Sequence, residues 1–199
     1  MVRPRVVSDE EILQAARAGF LAHGPALSTA VIADSLGVSQ ATLFKRFGSK
    51  ERLMVAALTP RLDGPEWASV IAPLDERPFV DQLTERGLIV LRFFDQMMPC
   101  VAMLHAHSPE RVGELMARPD APPVRAHAAV RALFDAAVAA GRVAPCDTEA
   151  LAMVWLGALR QRAFWSANLP GAVLRADGDE YVRTLNLLLW RGLRPGGHP

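Results

Sequence analysis

Residues 28–47 read STAVIADSLGVSQATLFKRF, and this stretch leaves the chain little choice of local fold. Counting Thr29 as the first position, Ala33 is fifth, Gly37 ninth and Leu43 fifteenth, with Ile32, Leu36 and Val38 at apolar places between them. Two short helices crossing at a tight turn need this spacing. Ala33 is small enough to let the helices approach, Gly37 accepts the left-handed backbone that the turn demands, and Val38 and Leu43 pin the second helix onto the first. Ser39 can cap the second helix through its side-chain oxygen. The expected element is a helix-turn-helix.

The second of these helices turns Gln40, Ala41, Thr42, Lys45 and Arg46 outward. Gln can bond adenine bidentately, Thr offers a hydroxyl and a methyl, and Lys and Arg reach guanine edges or phosphates, so this surface suits a major groove. Phe47-Gly48-Ser49-Lys50-Glu51 follows at once. Ser49 caps a further helix whose free N–H groups, with Lys50, can hold a phosphate. Composition matters at this point. The 199 residues carry 22 Lys+Arg against 21 Asp+Glu, a formal charge of +1, which excludes a uniformly basic protein. The charge is unevenly placed: residues 39–52 hold Lys45, Arg46, Lys50 and Arg52 against Glu51, a local +3, and both lysines of the chain lie there. Short capped helices also occur in ordinary helical domains, and it is the cationic cluster that turns the reading toward double-stranded DNA.

Elsewhere the apolar content of 51% supplies a sizeable core, and alternating strand-like runs are nearly absent. The chain is therefore expected to be all-α, with about nine helices. A first helix begins at Ser8, with Glu10 and Glu11 in its first turn, carries Ile12, Ala15, Ala16, Gly19 and Phe20 on one stripe, and ends at Gly24-Pro25. Residues 1–59 form a small leading domain in this reading. Residues 60–78, with Pro60, Gly64, Pro65, Pro73 and Pro78, form a linker region, and 79–199 form a larger helical domain. In that larger domain a helix is expected from 79 to about 98, with Leu83, Gly87, Val90, Leu91, Phe94 and Met98 on one stripe and Ile89, Phe93 and Met97 on another. A short helix over 109–116, a breaker at 119–123, and helices over 124–140, from 147 or 148 to about 168, and over 179–191 complete the series.

The run over 12–53 resembles the DNA-binding domain of the TetR (tetracycline-repressor) family. The resemblance rests on Phe20 and Gly24, Ile32-Ala33, Gly37-Val38-Ser39, Thr42-Leu43-Phe44, Phe47, and Ser49-Lys50-Glu51 with Leu53. Phe44 stands where the family commonly has Tyr, Arg46 where it has His, and Ala41 where Gly is frequent. The resemblance implies base contact by Gln40, Ala41 and Thr42, phosphate contact by Thr29, Lys45, Arg46 and Lys50, and a packing or sugar contact by Phe44. It implies a twofold homodimer on a double-stranded DNA operator, paired through the last two helices. Trp155, Leu159, Tyr181, Leu185, Leu188 and Leu189 are the candidates for that interface, although the same residues would serve equally as core within one subunit. It also implies a pocket for a small apolar or aromatic effector among the middle helices. Phe93, Phe94, Met97, Met98, Met103, His105, Phe134, Phe164 and Trp165 are the candidates there.

No nucleophile–base pair, phosphate-cradling glycine loop or metal spacing stands out, so neither an enzyme nor a cofactor is expected. His105 and His107, two apart, fall on different faces of a helix, and Cys100 and Cys146 are too few for a disulfide scaffold. Acidic residues follow the first few positions at once, so no secretory signal is expected, and charge-free runs such as 97–108 fall short of a bilayer span. The expected setting is the cytoplasm, without membrane contact. Two other classes stay open: a helical carrier of apolar ligands, and an adaptor using its helix-turn-helix for protein contacts alone.

Overall fold

The computed structural model describes residues 7–59, 65–169 and 177–194. Among them are ten helices and no strand: α1 Asp9–His23, α2 Thr29–Ser35, α3 Gln40–Phe47, α4 Lys50–Leu58, α5 Pro65–Val70, α6 Phe79–His107, α7 Pro109–Met116, α8 Pro122–Ala139, α9 Thr148–Asn168 and α10 Gly178–Leu193. The all-α expectation holds. Capping explains most of the starts. Ser8 accepts from the Glu11 N–H while the Glu11 carboxylate accepts from the Ser8 N–H at 2.8 Å, a reciprocal box. Ser28, Ser39, Ser49, Asp147 and Asp177 likewise cap α2, α3, α4, α9 and α10 through a side-chain oxygen.

The chain divides into two compact units, Met1–Pro60 with Pro99–Ala117, and Arg61–Met98 with Arg118–Pro199. In the first, α1 packs on α2 and α4, and α3 on α2 and α4. Its core joins Ile12, Ala16 and Phe20 of α1 to Ile32 and Ala33, Leu43, and Leu53, Met54, Ala57 and Leu58, and takes in Cys100, Leu104 and Val112. The second unit gathers Phe79, Leu83 and Val90 of α6, Val130, Phe134 and Ala137 of α8, Leu151, Trp155, Leu159 and Ala163 of α9, and Val182 of α10. Buried polar groups hold its helices in register. Trp155 Nε1 donates to Asn186 Oδ1 at 2.8 Å, and Asn186 Nδ2 to Thr84 Oγ1 at 3.4 Å.

Prolines account for the departures from the sequence reading. Pro65 opens α5 inside the expected linker, because a first-turn position needs no N–H. Trp67 and Val70 of α5 are buried. Pro60 and Gly64 of that linker, and Pro170, lie outside the described residues. Pro122 and Pro123 occupy the first helical positions of α8 rather than standing before it. Pro99 does not stop α6, which runs 29 residues to His107. A proline inside a helix costs about 3 kcal/mol, and burial of Cys100 and Leu104 just beyond it offsets that loss. The longer α6 also changes the membrane argument. It holds a window of mean hydropathy 1.5 and is long and apolar enough to cross a bilayer by length and composition, which counting charge-free runs did not register. Its Leu83, Val90, Leu91 and Phe94 pack instead in the core of the second unit, and Cys100 and Leu104 in that of the first.

Candidate nucleic-acid interface

The turn between α2 and α3 forms as its spacing requires. Gly37 adopts φ +67°, and the N–H groups of Leu36 and Val38 both donate to the Ala33 carbonyl, at 3.1 and 3.0 Å. Leu43 is completely buried and anchors α3 from beneath. On a helix, positions i, i+1, i+4 and i+5 share a face. Here that face is Gln40, Ala41, Phe44 and Lys45, all exposed. Thr42 is half-buried beside it, its hydroxyl 2.9 Å from that of Ser39. Gly48, at φ +82°, ends α3 with its N–H donating to Phe44, and Ser49 then starts α4 beside the half-buried Lys50.

Two of the expected phosphate contacts have other engagements. Arg46 Nη1 donates to the Val7 carbonyl at 2.6 Å and to Asp9 Oδ1 at 3.1 Å, which ties the recognition helix to the start of α1. Thr29 is 3% exposed, and its hydroxyl accepts from Gln40 Nε2 at 2.6 Å. Lys45 and Lys50 make no ion pair among the described residues. Sequence spacing carried no sign of these pairings, because Asp9 already had a purpose at the start of α1 and Gln40 at the groove. A further tie was equally hidden: Arg111 of α7 lies 3.9 Å from Glu51 of α4 and 3.0 Å from Glu114.

The effector candidates are divided between the two units. Phe93, Phe94, Met97, Met98, Phe134, Phe164 and Trp165 belong to the second unit, whereas Met103 and His105 belong to the first. Phe134 is completely buried and meets Trp155 edge-on with centroids 6.1 Å apart, a core position with no surface to offer a ligand. Phe93, Met97 and Met98 are half-buried, and Phe164 and Trp165 are exposed. A depression of about 290 Å³ between α8 and the start of α9 is lined by Val124, His127, Ala128, Arg131, Ala132, Asp135 and Glu149, none of them a candidate.

The interface candidates all lie in the second unit and differ in burial. Trp155 and Leu159 are completely buried within their own unit, and Tyr181, Leu185 and Leu189 pack half-buried against the same core. Leu188 alone of the six is exposed. The stripe expected to meet a partner is mostly the inward one. The outward large apolar residues of α9 and α10 are Met153, Val154, Phe164, Trp165, Leu187 and Leu188.

A capped helix with the buried Leu43 beneath and the exposed Gln40, Ala41, Phe44 and Lys45 above, set after a Gly37 turn, is a helix-turn-helix. Residues 12–57 match the model of the bacterial regulatory proteins of the tetR family. Among solved structures, a protein from Mesorhizobium loti described as a TetR-family transcriptional regulator superposes with TM-score 0.75 at 18% identity, covering 94% of this chain and 96% of its own. The TetR-family regulator PfmR of Thermus thermophilus is 27% identical with TM-score 0.59, over 90% and 97% of the two chains. A protein studied as the molecular basis for control of antibiotic production by bacterial hormones is 24% identical with TM-score 0.70, over 94% and 97%. No curated protein matches the chain. The chain thus holds a segment, residues 12–57, that is similar to the tetR family, and it shares the fold of these solved structures.

Proposed function

We propose that the protein is a ligand-responsive transcriptional repressor that binds a palindromic operator as a homodimer and leaves it when a small apolar effector binds. The exposed row Gln40, Ala41, Phe44 and Lys45 on α3, opposite the buried Leu43, carries this reading. One such helix spans only a few base pairs. A twofold dimer with half-sites about 34–36 Å apart gives useful specificity. The uncovered apolar face of α9 and α10 supports that dimer, with Met153, Val154, Leu187 and Leu188 each more than half exposed. Gly157 lies along α9 near this face with nothing within 4 Å of an added Cβ, so a partner helix can approach closely.

The half-buried Phe93, Met97 and Met98 of α6, with Trp67 and Phe93 rings 5.5 Å apart, supply apolar and aromatic surface for an effector. Release follows by linkage: an effector that binds better to a conformation with badly spaced recognition helices draws the population off DNA. Such a protein works in the cytoplasm, where its operator is. Selection of bound duplexes from a random pool tests the reading. The expected outcome is two inverted half-sites about one helical turn apart, and a pool that stays unenriched contradicts it.

A further inference from the structure

Gln40 is the first residue of α3, where recognition helices meet base edges, and its carboxamide is already committed on one side. Its Nε2 donates to the Thr29 hydroxyl at 2.6 Å, across eleven residues of sequence and from one helix of the motif to the other. Thr29 is 3% exposed, so the hydroxyl is fixed in the body of the domain while Gln40 itself is exposed. A glutamine amide has two N–H donors and one carbonyl acceptor. With one N–H held by Thr29, Gln40 presents one donor and one acceptor side by side.

Building on the DNA-binding reading above, we propose that Thr29 is a positioning residue that sets Gln40 to read adenine in the major groove. Adenine offers an N6 amine to the Gln40 Oε1 and an N7 acceptor to the remaining Nε2 hydrogen, so both bonds form. Guanine offers two acceptors, O6 and N7, and one free N–H satisfies only one of them. Cytosine and thymine each offer a single polar group there. This assigns Thr29 a role in choosing sequence rather than in holding the backbone. A phosphate contact acts alike on every sequence, whereas a group that orients a base reader acts at one position.

The test uses the full-length protein and duplexes carrying the half-site selected from a random DNA pool, with each of the four base pairs placed in turn at every position. Wild type is expected to favour adenine over guanine by about tenfold or more at one position per half-site. Gln40→Ala flattens that position and no other. Thr29→Val, which keeps the shape and removes the hydroxyl, lowers the same preference at least threefold and leaves affinity for random duplex, and its salt dependence, within twofold. Thr29→Ser restores the preference. A Thr29→Val protein that binds every duplex more weakly with its preference intact overturns the assignment in favour of a phosphate contact. A guanine preference in wild type at the Gln40-dependent position overturns it without recourse to any Thr29 variant. A pool that yields no enriched sequence removes the DNA-binding reading, and the assignment falls with it.

Discussion

Leu43 has no exposed surface, while its neighbours Phe44 and Lys45 face outward, and this contrast makes α3 a presented helix rather than a core one. Leu43→Ala is expected to cost about 2–5 kcal/mol in chemical denaturation, through lost burial and the cavity left behind. The cationic residues next to it divide by partner. Arg46 bonds the Val7 carbonyl and Asp9 with its side chain 30% exposed, so Arg46→Ala is expected to cost about 1 kcal/mol of stability and to leave the salt dependence of DNA binding unchanged. Lys45 has no such tie, and Lys45→Ala is expected to reduce the slope of log affinity against log salt by about two per dimer. Equal changes in slope for the two variants would contradict this division. The sequence made the exposed face legible because Leu43 and Gly37 fix the register of α3. It could not make Arg46 or Thr29 legible, since both acquire their roles from residues 39 and 11 positions away.

At the scale of elements, the strongest sequence signals were caps and apolar stripes, and the weakest were prolines and buried polar residues. Ser39 and Ser49 cap helices as their side chains predicted, and α1 starts beside Ser8 as expected, because a cap is a local interaction. Proline is ambiguous: it ends helices, yet it also opens α5 and α8 and sits within α6. Pro99→Ala is expected to raise thermal stability, since alanine supplies the missing N–H and is better in a helix by up to about 3 kcal/mol. A melting temperature that falls would show that the proline bend is needed for packing. Buried polar residues were illegible because each resembles a solvent-facing position. Gln82 is completely buried and bonds Asp75 and Arg77, and Arg86 donates to the carbonyls of Val70, Ala72 and Pro73; together they hold the segment between α5 and α6. Burial pushes the ionisation of Arg86 down from its ordinary value. Gly87 was read as part of an apolar stripe, but its place is sterically required. A Cβ there would lie 2.7 Å from Val182 Cγ1 and 3.4 Å from the Trp155 ring, so Gly87→Ala is expected to destabilise by about 1–3 kcal/mol in thermal unfolding. The two faces of α9 could not be ranked from sequence for a related reason. Trp155 and Leu159 on one side and Met153 and Val154 on the other are equally apolar, and only packing decides which is inside.

At the scale of the whole molecule, a chain of formal charge +1 concentrates a formal +3 within residues 39–52, across the recognition helix and the start of α4. The apolar counterpart is the outer face of α9 and α10. Replacement of Leu188, 61% exposed, by Asp is expected to shift the protein toward monomer in sedimentation analysis while leaving its helix content intact. Wild type sedimenting as a monomer would contradict the proposed dimer. Doubling of the cationic head in such a dimer also predicts how strongly salt should act. If about six phosphates are neutralised per dimer, affinity for random duplex falls roughly 10³-fold between 50 and 200 mM salt. That titration, with wild type beside a Lys45→Ala/Lys50→Ala variant, is the most direct measurement of DNA binding through this surface. The expected result is a steep line for wild type, and weaker binding with a slope shallower by about four for the variant. A flat response in wild type, or a variant that binds as wild type does, would contradict it.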